Sequence, residues 1–216
     1  TTDTLTVVSN SRYERFGSSL AIGDINNDGR RDLAVGAPGW GDEAGMLNAG
    51  RICLFFNDGT VFSQLGGART LSTSQSSVRL RSPNAGDRAG ERLEFLNFDR
   101  ISGPDLLATG PRSSTWERNW SGQAWVIQGT GIARAWSLGD YLVQLFRPGV
   151  EIYGQLPGDY MGNAAAAGDF NGDGFEDVFF TGKAGTNDEG LSAWGLYGGE
   201  NFQRLSVSRK IWSVLE

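Results

Sequence analysis

The stretch Asp169-Phe170-Asn171-Gly172-Asp173-Gly174-Phe175-Glu176-Asp177 decides how this chain folds. Oxygen-bearing side chains recur at its first, third and fifth positions, a glycine occupies the sixth, and an aspartate closes the ninth. Because alternate residues of a tight loop point the same way, these side chains converge, and the repulsion between their carboxylates favours a bound cation. Ca²⁺ takes about six to eight such oxygens, and the glycine permits the positive φ of the turn. The pattern recurs in residues 24–32 as Asp-Ile-Asn-Asn-Asp-Gly-Arg-Arg-Asp.

The pattern differs from that of an EF-hand. An EF-hand loop needs a glutamate at its twelfth position and a helix on each side. That position holds Val35 in the earlier stretch and Phe180 in the later one. Short apolar runs bounded by glycine flank both stretches, and such runs predict buried strands. Each acidic stretch therefore joins the two strands of a hairpin, with its final aspartate at the root of the second strand.

The composition of the 216 residues argues against several classes of protein. The chain contains no histidine, which removes Ser-His and Cys-His nucleophile pairs and the usual zinc sites. The net charge is −6 without a basic run, which argues against nucleic acid and anionic lipid as partners. No run of 18 apolar residues is present, so we expect no membrane insertion. Cys53, the one cysteine, lies in an apolar run and is expected to be buried and inert.

The start of the chain bears on its cellular location. It begins Thr-Thr-Asp without a recognisable signal peptide. We expect a processed mature form of an exported protein in an extracellular or other calcium-rich compartment.

A repeat of about 72 residues organises the chain. The pairs Phe16-Gly17, Ala89-Gly90 and Met161-Gly162 are 73 and 72 residues apart, and an acidic or acidic-like stretch follows each pair at the same offset. The repeats are predicted at residues 16–82, 89–154 and 161–216 of a single domain, 1–216, with residues 1–9 as a spare outer strand.

Each repeat is predicted to form short strands and little helix. The expected strands are 18–24, 91–97 and 163–169 before the acidic stretch, 32–37, 105–110 and 177–182 after it, 50–56, 122–128 and 191–197 as third strands, and 77–81 and 150–153 as outer strands. The inner strands are apolar throughout, while the outer ones alternate. This gradient is typical of propeller blades, whose inner strands are covered by neighbouring blades. The predicted class is all-β.

These residues carry a resemblance to a known family. Phe16-Gly17, Gly36-Ala37-Pro38 and the acidic stretch between them resemble the FG-GAP repeat, the blade unit of the integrin α-subunit propeller. The third repeat departs from the pattern at Met161 and at residues 181–183, and the second repeat departs most, with Ile101 at the fifth loop position. The resemblance covers the whole chain and implies three four-stranded FG-GAP blades.

The resemblance also implies calcium sites in the first and third repeats. The implied ligands are the side chains of Asp24, Asn26, Asp28 and Asp32 with the Arg30 carbonyl, and those of Asp169, Asn171, Asp173 and Asp177 with the Phe175 carbonyl. The alternative is an Asx-rich turn without metal. Because Ile101 removes a central ligand, we expect a metal-free hairpin in the second repeat. The implied role of the ion is structural.

The loops between second and third strands, residues 39–49, 112–121 and 184–189, are long and unlike one another. In the family they lie on the face opposite the calcium hairpins, and that face binds partners. Trp40, Trp116 and Trp120 are therefore candidate ligand-binding residues, the alternative being that they cover the blades. Five carboxylates of these loops offer an acid–base pair for glycoside hydrolysis as an enzymatic alternative. They are Asp42, Glu43, Glu117, Asp188 and Glu189.

Three blades cannot close a propeller, which needs about four to eight. Thr4–Val8 lies before Phe16-Gly17 at the place where residues 78–81 lie before Ala89-Gly90. The third repeat ends without such an outer strand. We therefore expect a protein partner or a second copy to complete the ring, with two chains forming six blades by strand exchange. The rival explanations are a fragment of a longer propeller and docking on a different protein.

The function expected from these patterns is non-catalytic. It is a calcium-binding module for protein interaction, adhesion or assembly. A carbohydrate-binding lectin of the same repeat type and a carboxylate-dependent glycoside hydrolase are the alternatives.

Overall fold

Strands dominate the part of the chain that the computed structural model describes, which is residues 4–9, 11–41, 46–60, 62, 68–101, 103–114, 118–132, 142–144, 149–183 and 191–200. The strands in chain order are β1 Thr4–Val8, β2 Leu20–Gly23, β3 Asp32–Ala37, β4 Arg51–Phe55, β5 Ala68–Ser72, β6 Val78–Arg81, β7 Arg92–Leu96, β8 Asp105–Gly110, β9 Gln123–Ile127, β10 Leu142–Gln144, β11 Gly149–Tyr153, β12 Ala164–Gly168, β13 Asp177–Lys183 and β14 Leu191–Leu196. A 3₁₀ helix spans Thr73–Gln75. The all-β prediction is confirmed.

Each repeat forms its own antiparallel sheet. Blade 1 consists of β2, β3, β4 and β6, blade 2 of β7, β8, β9 and β11, and blade 3 of β12, β13 and β14. The first two strands of each blade form a hairpin around the acidic loop. The closing pairs are Gly23 with Asp32, Leu96 with Asp105 and Gly168 with Asp177. The register is therefore the same in all three blades, as the repeat spacing predicts.

The core lies between blades. One cluster joins blade 1 to blade 2 and includes Ile52, Leu80, Leu106 and Trp125. A second cluster joins blade 2 to blade 3 and includes Val126, Ile152, Phe180 and Trp194. Because successive side chains of a strand point to opposite faces, the apolar strands of blade 2 supply both clusters. This explains why the inner strands are apolar throughout rather than alternating.

A third cluster covers the other face of blade 1. Val35, Cys53 and Phe55 pack there under Leu71, with Val7 against them. Val7 lies in β1 and Leu71 in β5, and these two strands pair in parallel as a two-stranded sheet, here called the β1–β5 ribbon. The predicted spare strand thus has a partner within the chain on one of its edges.

Two strands were not expected from the sequence. β5 pairs with β1, and β10 adds a fifth strand to the outer edge of blade 1 by pairing in parallel with β6. Both lie between the third strand and the outer strand of a blade, β5 between β4 and β6 and β10 between β9 and β11. Each pairs with a strand that comes earlier in the chain.

Candidate functional site

The first acidic loop, residues 24–32 (loop 1), is folded by its own side-chain oxygens. The two carboxylate oxygens of Asp24 accept the N–H groups of Asp28 at 2.9 Å and Gly29 at 2.8 Å. Asn26 Oδ1 accepts the Asp28 N–H at 3.2 Å, and Asp28 Oδ1 accepts the Arg30 N–H at 2.9 Å. The side chains at the first, third and fifth positions therefore all turn inward, as the spacing predicts.

Residues 169–177 (loop 3) repeat this arrangement. Asp169 accepts the N–H groups of Gly172 at 2.7 Å and Gly174 at 2.9 Å. Asn171 Oδ1 accepts the Asp173 N–H at 2.9 Å, and Asp173 Oδ1 accepts the N–H of the seventh residue at 2.9 Å. Gly174 has a φ of +89°, close to the +85° of the equivalent glycine in loop 1. The glycine predicted at the sixth position is thus needed for the turn.

The ninth aspartate has a role that sequence reasoning did not assign. Asp32 is 1% exposed and accepts the N–H of Ile25 at 3.1 Å and of Asn57 at 2.8 Å. Asp177 likewise accepts the N–H of Phe170 at 3.0 Å and of Gly198 at 2.9 Å. These aspartates tie the loop to the end of the third strand. Burial raises the pKa of Asp32 against the lowering effect of those backbone donors.

The donor set of loops 1 and 3 fits a hard cation by its chemistry. It offers carboxylate, amide and backbone carbonyl oxygens, which Ca²⁺ prefers. Carboxylate oxygens that accept one N–H keep a second lone pair for a metal. Across the described residues, no three His, Cys, Asp or Glu side chains gather closely enough to hold a metal ion. A site in either loop would therefore rely on Asn26 or Asn171 and a backbone carbonyl as well as on carboxylates.

Residues 97–105 (loop 2) are built differently, because an aspartate stands where loops 1 and 3 have an asparagine. Asp99 is 1% exposed and accepts the Ile101 N–H and the Gln128 Nε2–H, each at 2.8 Å. Asp105, which is fully buried, accepts the N–H groups of Phe98 at 3.2 Å and of Gly129 at 3.3 Å. Burial, followed by the charge of Asp99, raises the pKa of Asp105 to about 7.

Loops 2 and 3 contact each other directly. The Arg100 guanidinium lies 5.0 Å from the centre of the Phe175 ring, a cation–π contact. The Asn97 N–H donates to the Glu176 carboxylate, and the Gly199 N–H donates to the Phe98 carbonyl at 3.0 Å. The loop without a complete ligand set is therefore bonded to one that has it.

The opposite face carries two of the predicted tryptophans. Trp40 is half-buried and lies 5.2 Å from the Arg51 guanidinium, which Glu14 binds at 2.8 Å. Trp120 is 55% exposed, and its ring stacks on that of Tyr160 with centroids 6.1 Å apart. Trp120 also has a φ of +56°, a backbone conformation that bulky residues rarely adopt. Trp116 lies outside the described residues, as do the five carboxylates of the hydrolase alternative.

The sequence analysis did not identify the buried acid that lies two positions before each of the pairs Phe16-Gly17, Ala89-Gly90 and Met161-Gly162. Glu14, Asp87 and Asp159 occupy this position and are 1–2% exposed. Their partners differ: the Arg51 side chain for Glu14, the hydroxyls of Ser82 and Ser113 for Asp87, and the Leu156 N–H for Asp159. The residue that follows each acid has a positive φ. The signal that would have revealed them is an acid, any residue, an apolar residue and a glycine at the repeat spacing.

The three sheets and their acidic hairpins define a repeat protein built of propeller-type blades. Its first blade is an FG-GAP repeat, because the model of the family described as FG-GAP repeat matches residues 16–52. The predicted resemblance is thereby confirmed. No helix long and apolar enough to cross a membrane occurs in the described part of the chain.

Curated relatives of the chain are much longer proteins. It is 27% identical over 166 residues to phosphatidylinositol-glycan-specific phospholipase D of Rattus norvegicus, covering 77% of this chain and 18% of that protein. It is 25% identical over 208 residues to the Bos taurus protein of the same name, covering 94% of this chain and 23% of that protein. It is 28% identical over 119 residues to the Homo sapiens protein, covering 55% of this chain and 14% of that protein. The chain thus spans less than a quarter of the length of these relatives.

Proposed function

We propose that this chain is a calcium-stabilised, non-catalytic propeller module that binds protein through the open flanks of its first and last blades. The observation that carries the proposal is that positions which are buried between two blades are exposed on the outer flanks of blades 1 and 3. Leu20 and Ile22 of β2 are 61% and 63% exposed. Their counterparts in β7 are Leu93, which is 9% exposed, and Phe95, which packs against the core between blades 1 and 2.

The outer flank of blade 3 also exposes a position that is buried in blades 1 and 2. The second position of the acidic loop holds Ile25 in blade 1 and Phe98 in blade 2, which are 0% and 1% exposed. In blade 3 the same position holds Phe170, which is 57% exposed and contacts Phe179 edge-to-face at 4.5 Å. Apolar side chains exposed at both ends in place of blade contacts mark interaction surfaces.

Calcium enters the proposal as a structural ion in loops 1 and 3. Asp24, Asn26, Asp28 and Asp32, with the Arg30 carbonyl, would hold one ion, and the corresponding residues of loop 3 would hold the other. The hydrogen bonds that loops 1 and 3 share, from the fifth, sixth and seventh residues to the third, first and fifth side chains, support this assignment, and the FG-GAP family match adds to it. When bound, the ion supplies charge neutralisation that keeps the hairpin closed.

Thermal unfolding in calcium and in EDTA tests the metal sites. An ion that binds the folded chain only stabilises it by about 2.7 kcal/mol per site when free calcium is one hundred times the dissociation constant. Asp173→Ala should remove the part of the melting shift that loop 3 contributes. Asp58→Ala, at an exposed aspartate outside the loops, is the control and should keep the full shift. A melting temperature that ignores both calcium and EDTA would reject the sites.

The flanks are tested separately with bis-ANS, a dye that fluoresces on apolar surface. A dilute chain should bind the dye, and Ile22→Asp and Phe170→Asp should each lower the signal. Ile22→Asp should leave the melting temperature unchanged because Ile22 is 63% exposed, whereas Phe170→Asp should lower it slightly through the lost contact with Phe179. Leu47→Asp is the control, because Leu47 is 69% exposed but lies in the loop between β3 and β4. Equal dye binding by all variants would contradict the docking role of the flanks.

The relatives bear on the enzyme question only through their name. They are named as phospholipases, but the chain covers a small part of each. The absence of histidine and the structural use of the buried aspartates support a non-catalytic role for this part. An extracellular location accompanies the proposal, since calcium is abundant there.

A lectin is the second candidate, favoured by the aromatic pair Trp120 and Tyr160. Two stacked and partly exposed rings offer the apolar face on which a sugar ring packs. A glycan array run with the wild-type chain and with Trp120→Asn tests this candidate. Binding that disappears in the variant would support it, and an array without signal would remove it. The same measurement on Trp40→Ala and Trp116→Ala tests the other predicted ligand-binding residues.

A further inference from the structure

Three arginine side chains gather around one glutamate where blades 1 and 2 meet. Arg15 Nη1 and Nη2 donate to the two carboxylate oxygens of Glu91 at 3.3 Å and 3.1 Å. Arg88 Nε lies 3.9 Å from the same carboxylate. The pKa of Arg88 is lowered, first by burial and then by the charges of Arg15 and Arg112, while Glu91 acts to raise it. Arg112 is therefore close enough for its charge to act on Arg88, and these four residues are here called the arginine cluster.

The arginine cluster lies at the end of the blades opposite the acidic loops. Loop 1 closes at the pair Gly23 and Asp32, at one end of β2. At the other end of β2, the Ser19 hydroxyl donates to the Gly90 carbonyl at 2.7 Å, and Gly90 immediately precedes Glu91. The length of a strand therefore separates the cluster from the proposed metal site of loop 1.

A small solute can reach the arginine cluster from this face. The side chain of Arg15 is 45% exposed, and those of Arg88 and Glu91 are 18% exposed. Arg112 is exposed. The cluster thus combines accessible guanidinium groups with partly buried ones, whose interaction with an ion is screened less by water.

Positive charge exceeds negative charge in the cluster. Three guanidinium groups face one carboxylate, an excess of two positive charges among the described residues, although the whole chain has a net charge of −6. A fourth guanidinium lies beside them, since Arg92 Nη1 donates to the Glu91 carbonyl at 2.8 Å. The buried Arg88 Nε makes no hydrogen bond to any described residue. An anion bound here would offset the repulsion between the guanidinium groups and supply acceptors for their hydrogens.

The repeat itself does not require these side chains. Where blades 2 and 3 meet, Tyr160 takes the place of Arg88 and Asn163 takes the place of the glutamate by the repeat spacing. The backbone contacts are nevertheless the same. The Arg88 N–H donates to the Asn48 carbonyl at 3.0 Å, and the Tyr160 N–H donates to the Trp120 carbonyl at 3.0 Å. The blades therefore join without guanidinium groups, and the arginines need another explanation.

We infer that the arginine cluster binds a single dianionic oxyanion, of which a phosphate monoester group is the best match. A guanidinium presents paired donors that fit the oxygens of phosphate. A phosphate monoester carries a charge of about −1.5 to −2 near pH 7 and three strong acceptor oxygens. It balances an excess of two positive charges, whereas a carboxylate balances one. A long polyanion such as nucleic acid is disfavoured by the net charge of −6.

Calorimetric titration of the full chain with inorganic phosphate at low ionic strength tests the site. Saturable binding is expected, with weaker binding of acetate. Arg112→Gln should lower the phosphate affinity about tenfold, the typical effect of losing one hydrogen bond to a charged group, and should fold because Arg112 is exposed. Arg69→Gln, in β5, makes the same change of charge outside the cluster and should bind as the wild type does. Absent saturable binding, acetate bound as tightly as phosphate, or equal losses in the two variants would overturn the inference.

Glu91→Gln provides the converse test. It removes the carboxylate that competes with the anion and leaves an amide oxygen to accept from Arg15. This variant should bind phosphate several-fold more tightly than the wild type, a gain that misfolding cannot produce. Unchanged or weaker binding would show that the guanidinium groups do not hold the anion.

Two further titrations identify the source of the phosphate and separate the site from the acidic loops. Glucose 6-phosphate that binds more tightly than inorganic phosphate would indicate a phosphate carried on a sugar, and equal binding would indicate the free ion. Both outcomes support the anion site. The phosphate affinity should be the same with and without calcium, and binding that requires calcium would place the phosphate at the loops and overturn the inference. The calcium-dependent melting shift and the dye binding of the flanks test the proposed function independently.

Discussion

Replacing Asp99 by asparagine should give loop 2 the residue that loops 1 and 3 have at their third position. Asn26 and Asn171 already occupy this position and accept the same backbone N–H that Asp99 accepts. The other oxygen of Asp99 accepts a hydrogen from Gln128, whose amide can reverse to accept from the new Nδ2–H. The substitution therefore keeps the hydrogen bonds and removes one buried negative charge beside Asp105.

The effect on stability follows from the pKa of Asp105. Its ordinary value is 3.8 and its value in the folded chain is about 7, a difference of about 3 pKa units. Between these values the folded chain holds a proton that the unfolded chain has released, so the free energy of unfolding falls as pH rises through this window. At about 1.36 kcal/mol per unit, the loss approaches 4 kcal/mol by pH 7.5. Asp99→Asn should recover the part due to the Asp99 charge, while the part due to burial remains.

Urea unfolding in EDTA at pH 4.5 and pH 7.5 measures this difference. The variant should be more stable than wild type at pH 7.5, with a smaller loss between the two pH values. Asp58→Asn, which removes an exposed carboxylate, is the matched control and should follow the wild type. If wild type and Asp99→Asn lose the same stability between the two pH values, the coupling of Asp99 to Asp105 is wrong.

Three further outcomes are expected from urea unfolding. Trp125→Ala should cost about 3–5 kcal/mol, because Trp125 is 1% exposed in the core between blades 1 and 2, and a loss below 1 kcal/mol would contradict that packing. Glu14→Ala should cost about 3–5 kcal/mol, since it leaves the buried Arg51 guanidinium without its carboxylate, and an unchanged midpoint would show that the pair is solvated. Trp120→Asn should keep or raise stability, because Asn48 holds the same positive φ at the equivalent site; a large loss would show that Trp120 is a packing residue.

The blades were predictable because their signals are local and repeated. Strands β2, β3 and β4 lie within the predicted ranges because glycines and the acidic loop mark their ends. β5 and β10 were not predicted, since short stretches such as Ala68–Ser72 show no alternation and extend by pairing with strands remote in sequence. Pairing of this kind is set by the fold rather than by the residues of the strand.

Some features of the candidate site were likewise predictable from the sequence, and others were not. The inward turn of Asp24, Asn26 and Asp28 was predictable from spacing, because each oxygen bonds within its own loop. The pKa of Asp105 was not, since it depends on burial by residues far apart in the chain. The contact of Trp40 with Arg51 was equally hidden, because nothing in the sequence brings a loop tryptophan to the start of a strand.

The position of Cys53 makes its labelling by a thiol reagent a measure of how often the β1–β5 ribbon opens. Its thiol is fully buried beneath the ribbon, and burial raises its pKa. A thiol reagent can therefore reach it only while the ribbon is lifted from blade 1 or the blade unfolds. The labelling rate of the native protein reports how often this opening occurs. This one cysteine therefore reads out how firmly the ribbon is closed over blade 1 in the native protein.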